Sequence, residues 1–141
     1  MSNLTISETD LIQNNDMPIV VLENGVRIAN FSSPHSFKFD DGIELPGCSK
    51  ERATRLMLRS EEIEVPGVRE GVVDIDLQFR MSDVVEAAIL EANQDGSVDV
   101  VLVPFPVMTC WKSSGRDIGK MRCVRIADRV TKVAHSSKFC R

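Results

Sequence analysis

The feature that most constrains the fold is a strict two-residue alternation of apolar and polar side chains over residues 73–80. The apolar members are Val73, Ile75, Leu77 and Phe79, and the residues between or after them are Asp74, Asp76, Gln78 and Arg80. Successive side chains of a strand point to opposite faces, so this spacing places every apolar group on one face. The pattern predicts a half-buried β-strand with Asp74 and Asp76 on its solvent-exposed face.

Turn signals predict two hairpins before this strand. Asn24-Gly25 lies between apolar runs at 18–22 and 26–31, and Asp41-Gly42 lies between 36–39 and 43–45. These dipeptides favour the positive φ that tight hairpin turns require. Residues 49–59 are ambiguous, because Ser49 could open a short helical turn. We predict a turn there that leads into a strand over about 55–65.

Two later segments have helical signals. Val84, Val85, Ala88 and Ile89 recur at helical spacing after a cap at Ser82 or Asp83, which predicts a helix to about residue 93. Pro106 fits the first position of a second helix, which runs through Trp111 to the break at Ser113-Ser114-Gly115. Strands are predicted over 98–103, 120–126 and 130–134.

These elements predict an α+β fold with a mainly antiparallel sheet of about seven short strands and two short helices. A chain of 141 residues is long enough for one domain with a real core. We predict a single domain over 17–141 and a flexible leader over 1–16. The leader lacks the basic and apolar regions of a secretory signal, which favours an intracellular protein with reduced thiols.

Charge is segregated along the chain. Residues 116–141 carry eight cations and two anions, whereas residues 1–115 carry nine cations and nineteen anions. The net charge is −4, which argues against a general duplex-DNA binder because such proteins spread a basic face over the domain. A compact basic segment in an acidic domain instead favours a site for an anion such as phosphate.

Candidate ligand-binding residues follow from this segment and from two others. Arg122, Arg125 and Arg129 supply planar guanidinium groups that bind phosphate with paired hydrogen bonds. The loop at 30–35 offers polar side chains and backbone amides, and Phe105 offers a surface on which a base could stack. The full set is Arg122, Arg125, Arg129, Asn30, His35, Phe105, Asp128 and Thr131. The alternatives are a solvated edge strand, an ordinary turn and a core or interface aromatic.

Catalytic and metal chemistry have little support in the sequence. His35 and His135 are the only histidines, and no G-x-S-x-G nucleophile motif is present. Asp99 resembles Asp74 and Asp76 in lying at or near a strand, where a solvent-facing role is simpler than Mg²⁺ binding. The four cysteines are far apart in sequence and lack the close pair typical of zinc sites; they are Cys48, Cys110, Cys123 and Cys140. We therefore predict inert thiols. We also predict no cofactor and no enzymatic activity.

One stretch runs through Asn24-Gly25-Val26 and residues 30–35 to Asp41-Gly42 and Leu45-Pro46, and the other comprises residues 100–104 and 122–131. Together they resemble the Thoeris anti-defence sponge family of phages. The first is similar to an Asn-Leu-Thr-Pro-His opening, from which Phe31, Ser32 and Ser33 depart.

The resemblance implies a non-catalytic protein of the host bacterial cytoplasm that sequesters cyclic ADP-ribose signals. In some members of the family the ligands include cyclic oligonucleotides made by CBASS immune enzymes. It also implies a homo-oligomer, either a dimer or a hexamer built from dimers. Two alternatives stay open. One is a phage accessory or structural protein that binds a protein partner through its basic C-terminal segment; the other is an enzyme that acts on a nucleotide.

Overall fold

A computed structural model describes residues 17–141, so the predicted leader at 1–16 lies outside the described residues. Within 17–141 there are nine strands and three helices, and the predicted α+β class is confirmed. The strands are β1 (Ile19–Val21), β2 (Arg27–Asn30), β3 (Phe37–Lys38), β4 (Glu44–Leu45), β5 (Arg59–Pro66), β6 (Val73–Arg80), β7 (Val100–Leu102), β8 (Met121–Asp128) and β9 (Val133–Cys140). The helices are α1 (Lys50–Arg55), α2 (Asp83–Gln94) and α3 (Phe105–Ser113). The prediction of about seven strands and two helices was therefore too low.

The main sheet has five strands in the order β1-β2-β7-β8-β9. Its two central pairings, β2 with β7 and β7 with β8, are parallel. The outer pairings of this sheet and the two separate hairpins, β3–β4 and β5–β6, are antiparallel. Antiparallel pairs therefore predominate, as predicted, but the centre of the main sheet is parallel.

Apolar side chains cover both faces of the main sheet because alternate strand residues point in opposite directions. On one face, Ala29 and Val101 join the buried faces of α2 and α3 in the larger core cluster. On the other face, Ile28 and Leu102 pack with the β3–β4 hairpin in a smaller cluster. The helices and the small hairpin thus lie on opposite sides of the sheet.

Residues 49–55, ambiguous in sequence, form a capped helix rather than a plain turn. The Ser49 side chain accepts a hydrogen bond from the Arg52 backbone N–H at 3.1 Å, as an N-cap residue does. The fully buried Arg52 side chain donates through Nε to the Phe31 carbonyl at 2.7 Å. Its guanidinium also lies 5.5 Å from the centre of the Phe31 ring, a cation–π distance. The helix is therefore fixed to the loop that follows β2.

The β5–β6 hairpin is exposed on both faces. Every residue of β6 is exposed, so the prediction of a half-buried strand was wrong. The predicted alternation is present: Val73, Ile75, Leu77 and Phe79 are between 46% and 58% exposed along one face. Alternation predicts that one face is apolar, but it does not identify what covers that face.

The last hairpin is longer than predicted and turns later. Strands were expected at 120–126 and 130–134, whereas β9 begins at Val133 and continues to Cys140. The Asp128 carboxylate accepts hydrogen bonds from the backbone N–H groups of Val130 (2.8 Å) and Thr131 (3.4 Å), which fixes the turn at 129–132. Two register shifts follow Val124, so the pairing of β8 with β9 is irregular in the half of the hairpin nearest its turn, which we call the distal half.

Candidate ligand-binding site

The strongest candidate site begins at Phe105, the first residue of α3. Val107, Met108 and Trp111 form the buried face of this helix. Phe105 lies outside that face, and 72% of its surface is exposed. An aromatic side chain this exposed is able to stack on a planar ligand.

Phe105 borders a cavity of about 330 Å³ beside α3. The helical part of its wall comprises Phe105, Met108, Thr109, Lys112 and Ser113. These positions share one helix side because residues three and four apart are neighbours. The rest of the wall is Cys123, Cys140 and Arg141 from the end of the β8–β9 hairpin and the residue after it. The cavity thus combines one aromatic ring, two hydroxyl groups and two cations.

Lys112 and Arg141 give the cavity its positive charge. Both residues also border an adjoining cavity of about 350 Å³, which includes Gly115, Arg116 and Asp117. Arg116 has partners of its own: its guanidinium is 3.0 Å from a Glu86 carboxylate oxygen and 4.7 Å from the centre of the Trp111 ring. Lys112 and Arg141 are therefore the better candidates for binding an anionic ligand.

Two further cavities border α3. One, of about 510 Å³, lies between Phe105 and Phe79 and includes Pro106 and Cys110. The next, of about 570 Å³, is mainly apolar and is bordered by Leu56, Met57, Phe79 and Val107. Ser32, Ser33 and Pro34 from the predicted polar loop reach this last cavity. The N-terminal half of α3 is thus surrounded by space for ligands of ordinary size.

Asn30, predicted to contact ligand, is fully buried and holds the loop together. Its amide nitrogen donates to the carbonyls of Ser33 (3.0 Å), His35 (3.3 Å) and Pro46 (3.0 Å). Its amide oxygen accepts from the Ser33 backbone N–H at 2.9 Å. The structure therefore assigns Asn30 a scaffolding position. His35 at the end of the same loop is exposed, and its backbone N–H donates to Ser33 Oγ at 3.2 Å.

The three predicted arginines lie along β8 and its turn. Arg122 donates to the backbone carbonyls of Gly119 (2.8 Å) and Met121 (2.6 Å). Arg125 lies at the first register shift and Arg129 lies in the turn after β8, and both are exposed. None of the three is in the wall of the Phe105 cavity. Among the described residues, the structure brings predicted Phe105 together with Lys112 and Arg141 instead.

Asp128 and Thr131 belong to the turn of the same hairpin. Asp128 accepts the two turn hydrogen bonds described above, and Thr131 is exposed beside it. Sequence reasoning missed Lys112 as a site residue. The signal was present in the spacing of Phe105, Thr109 and Lys112, which predicts one shared helix side. Arg141 had no comparable local signal, since it reaches the cavity wall only through the pairing of β9 with β8.

The thiol of Cys123 differs in acidity from an ordinary cysteine. Burial raises its pKa, and the nearby Cys140 thiol raises it further. The neutral thiol, which is the weaker nucleophile, is therefore favoured at Cys123.

Comparison with protein-family models, curated proteins and solved structures gives no match. Within residues 17–141 no three His, Cys, Asp or Glu side chains converge as a metal site would require. Over the same residues, no helix has the length and apolar character needed to cross a bilayer.

Proposed function

We propose that this protein binds a phosphate-bearing cyclic nucleotide and sequesters it without changing it chemically. The observation that carries the proposal is the exposed Phe105 ring beside a cavity of about 330 Å³ that also presents Lys112 and Arg141. Base–aromatic stacking contributes about 1–3 kcal/mol per base, and charge-assisted hydrogen bonds favour phosphate. A ring and two cations match the two chemical parts of a nucleotide.

The cavity supports binding more than catalysis. Its wall contains hydroxyl and thiol groups but neither His35 nor His135, which could activate them as a base. Its buried thiol, Cys123, has a raised pKa. The resemblance to the Thoeris anti-defence family favours cyclic ADP-ribose isomers as ligands, with cyclic oligonucleotides of CBASS enzymes as a second group. The proposed setting is the cytoplasm of a phage-infected bacterium.

A calorimetric titration with cyclic ADP-ribose isomers and cyclic di- and trinucleotides tests this proposal. The complex is then heated, and the released compound is identified by mass spectrometry. We expect binding and release of the intact ligand. An altered compound would establish an enzyme instead, and absence of binding across the panel would overturn the proposal.

Variants of the same protein locate the site. Phe105→Ala should weaken binding about tenfold or more, because a stacking contact is lost. Lys112→Ala should weaken binding of the charged ligand, and Lys138→Ala, an exposed lysine on β9, is the matched control. If Arg125→Ala and Arg129→Ala lower the affinity while Phe105→Ala and Lys112→Ala do not, the ligand binds at the distal hairpin as the sequence predicted.

Homo-oligomer formation is the second part of the proposal, and its support is the β5–β6 hairpin. A two-stranded hairpin with both faces in water is marginally stable, and a contiguous exposed apolar stripe marks an interaction site. Pairing of the strands places Glu62 opposite Leu77 and Glu64 opposite Ile75, on the same face as the apolar stripe. These two glutamates make this face both apolar and acidic. The hairpin as a whole is acidic as well, since residues 59–80 carry six carboxylates and three guanidinium groups.

The distal β8–β9 hairpin has the complementary character. Residues 125–132 carry three cations and one anion, and they expose Ile126 and Val130. We infer that this end of one copy packs on the β5–β6 hairpin of a second copy. In a twofold dimer the contact occurs twice, which doubles the area covered.

Light scattering after size-exclusion chromatography tests the dimer. Leu77→Lys should shift the mass toward a monomer, whereas Gln78→Lys on the opposite face should not. Glu62→Lys with Glu64→Lys should weaken the dimer through like-charge repulsion, and adding Arg129→Glu with Lys132→Glu should restore it. A wild-type monomer at all concentrations, or failure of the charge swap to rescue a weakened dimer, would overturn this interface.

The exposed hairpin tip also favours a second candidate function, docking on an acidic protein partner. Val130 is 90% exposed between the basic residues Arg129 and Lys132. A wild-type protein that is monomeric and binds none of the nucleotides would favour this function over sequestration.

A further inference from the structure

Cys123 and Cys140 lie directly opposite each other on β8 and β9. Opposed residues of antiparallel strands have Cα atoms about 4.5–5.5 Å apart, which is within the range of about 4.4–6.8 Å that a disulfide requires. Both side chains lie on the same face, since Cys123 belongs to the larger core cluster and Cys140 packs against it. The backbone therefore positions two thiols for a bond that needs little movement.

Solvent reaches this pair through the Phe105 cavity. Both cysteines contribute to its wall, and both are free thiols in the structure. Cys140 is half-buried, whereas Cys123 is buried. The two thiols thus differ in access although they share one cavity.

We propose that Cys123 and Cys140 are a redox modification site that closes to an intramolecular disulfide on reaction with an oxidised small-molecule disulfide. The more accessible Cys140 reacts first. Its thiolate attacks one sulfur of the small disulfide, so a mixed disulfide forms and one small thiolate leaves and takes up a proton. The Cys123 thiolate then attacks the Cys140 sulfur and displaces the second small thiol. The two protein thiols are oxidised, and one small disulfide is reduced to two thiols.

This order of attack follows from burial. The thiolate is the reactive form, and burial beside Cys140 raises the pKa of Cys123. Cys123 therefore reacts as the second thiol, where proximity to the mixed disulfide compensates for its low thiolate fraction. The other cysteines occupy different places: Cys48 precedes α1, and Cys110 lies on α3 with its sulfur 3.7 Å from the Phe79 carbonyl.

The test uses the full chain and oxidised glutathione, and it does not depend on a nucleotide. After incubation, remaining thiols are blocked with N-ethylmaleimide, and intact mass and peptide mapping are recorded without reductant. We expect wild type to lose two hydrogens, to retain two blockable thiols and to yield a Cys123–Cys140 linked peptide. Cys48→Ser and Cys110→Ser should also lose two hydrogens and yield the linked peptide, but each should retain one blockable thiol instead of two.

The single variants distinguish the two thiols. Cys123→Ser should stop at a stable glutathione adduct on Cys140, because the second thiol is missing. Cys140→Ser should react much more slowly, since the buried Cys123 must attack first. Cys123→Ala provides the same test if a buried hydroxyl prevents folding. A wild-type protein that accumulates glutathione adducts, forms linked dimers or keeps four blockable thiols would overturn the proposal.

Discussion

Arg27 and Asp99 bind each other through both side chain and backbone across the first parallel pairing of the main sheet. The guanidinium donates to the carboxylate at 2.8 Å and 3.1 Å, and the Arg27 backbone N–H donates to it at 2.9 Å. In return, the Asp99 backbone N–H donates to the Arg27 carbonyl at 2.8 Å. Asp99 was expected to face solvent, and it is exposed. Its carboxylate also fixes the point where β7 begins to pair with β2.

This contact predicts a specific dependence of stability on pH. Hydrogen bonds from Arg27 lower the pKa of Asp99 to about 2, whereas an unfolded aspartate has a pKa of about 3.9. The stabilisation is therefore present above about pH 4 and is lost as the pH falls toward 2. We expect the difference in melting temperature between wild type and Asp99→Asn to shrink across that window. Asp74→Asn on the exposed hairpin is the control; equal pH profiles for the two variants would contradict the prediction.

Removal of the buried Asn30 amide should destabilise the fold without involving a ligand. Asn30→Ala removes one partner from four backbone groups between residues 33 and 46. The Ser33 and His35 carbonyls keep another hydrogen bond, so the loss falls on the Ser33 N–H and the Pro46 carbonyl. A buried group without a partner costs about 1–3 kcal/mol, so we expect a loss of about 2–6 kcal/mol in the free energy of unfolding. Urea denaturation measures this value, with exposed Gln94→Ala as control. A loss below about 1 kcal/mol would show that Asn30 does not hold the loop.

Gly47 is required by close packing rather than by its φ angle. A Cβ atom at this position would lie 2.1 Å from the Pro34 carbonyl oxygen. Because backbone atoms would have to shift, Gly47→Ala should cost about 3 kcal/mol or more. Gly96→Ala is the matched control, since a Cβ there has no neighbour within 4 Å, and its effect should stay within about 0.5 kcal/mol. Similar urea midpoints for the two variants would contradict the prediction.

At Lys132, the last residue of the β8–β9 turn, the backbone φ angle rather than packing is unfavourable. Its φ is 58°, in the left-handed region that side chains with a Cβ disfavour. Lys132→Gly should therefore raise the free energy of unfolding by up to about 1 kcal/mol. Arg129→Gly, at the other end of this turn, lacks that benefit and should be neutral or destabilising. An equal loss in both variants would exclude backbone relief at Lys132.

Local patterns predicted the local elements of this fold. The helix expected to end near residue 93 is α2 (Asp83–Gln94), and its cap is Ser82, which accepts from the Val85 backbone N–H at 3.3 Å. The turns at Gly25 and Gly42 have φ of 90° and 88°, as Asn-Gly and Asp-Gly favour. These features depend on residues close in sequence, where spacing and backbone preference decide the structure.

The features that could not be predicted depend on pairing between strands that are far apart in sequence. No local signal identifies β7 as a parallel neighbour of both β2 and β8, because those partners are remote in sequence. The same limit applies to the candidate site. Phe105 was predicted from its aromatic ring, but Arg141 joins it only because β9 pairs with β8. The functional roles of Arg125 and Arg129 stay predictions, and the binding experiments above test them.

The parallel centre of the sheet has a consequence for synthesis of the chain. Arg27 and Asp99, which mark the start of that pairing, are 72 residues apart. At typical elongation rates of about 5–20 residues per second, β2 waits roughly 4–14 s for its neighbour. During that interval the backbone groups of β2 that pair with β7 in the finished protein have no strand beside them. A chain released midway through its synthesis would therefore carry an unpaired strand edge, which is a natural target for chaperones and proteases.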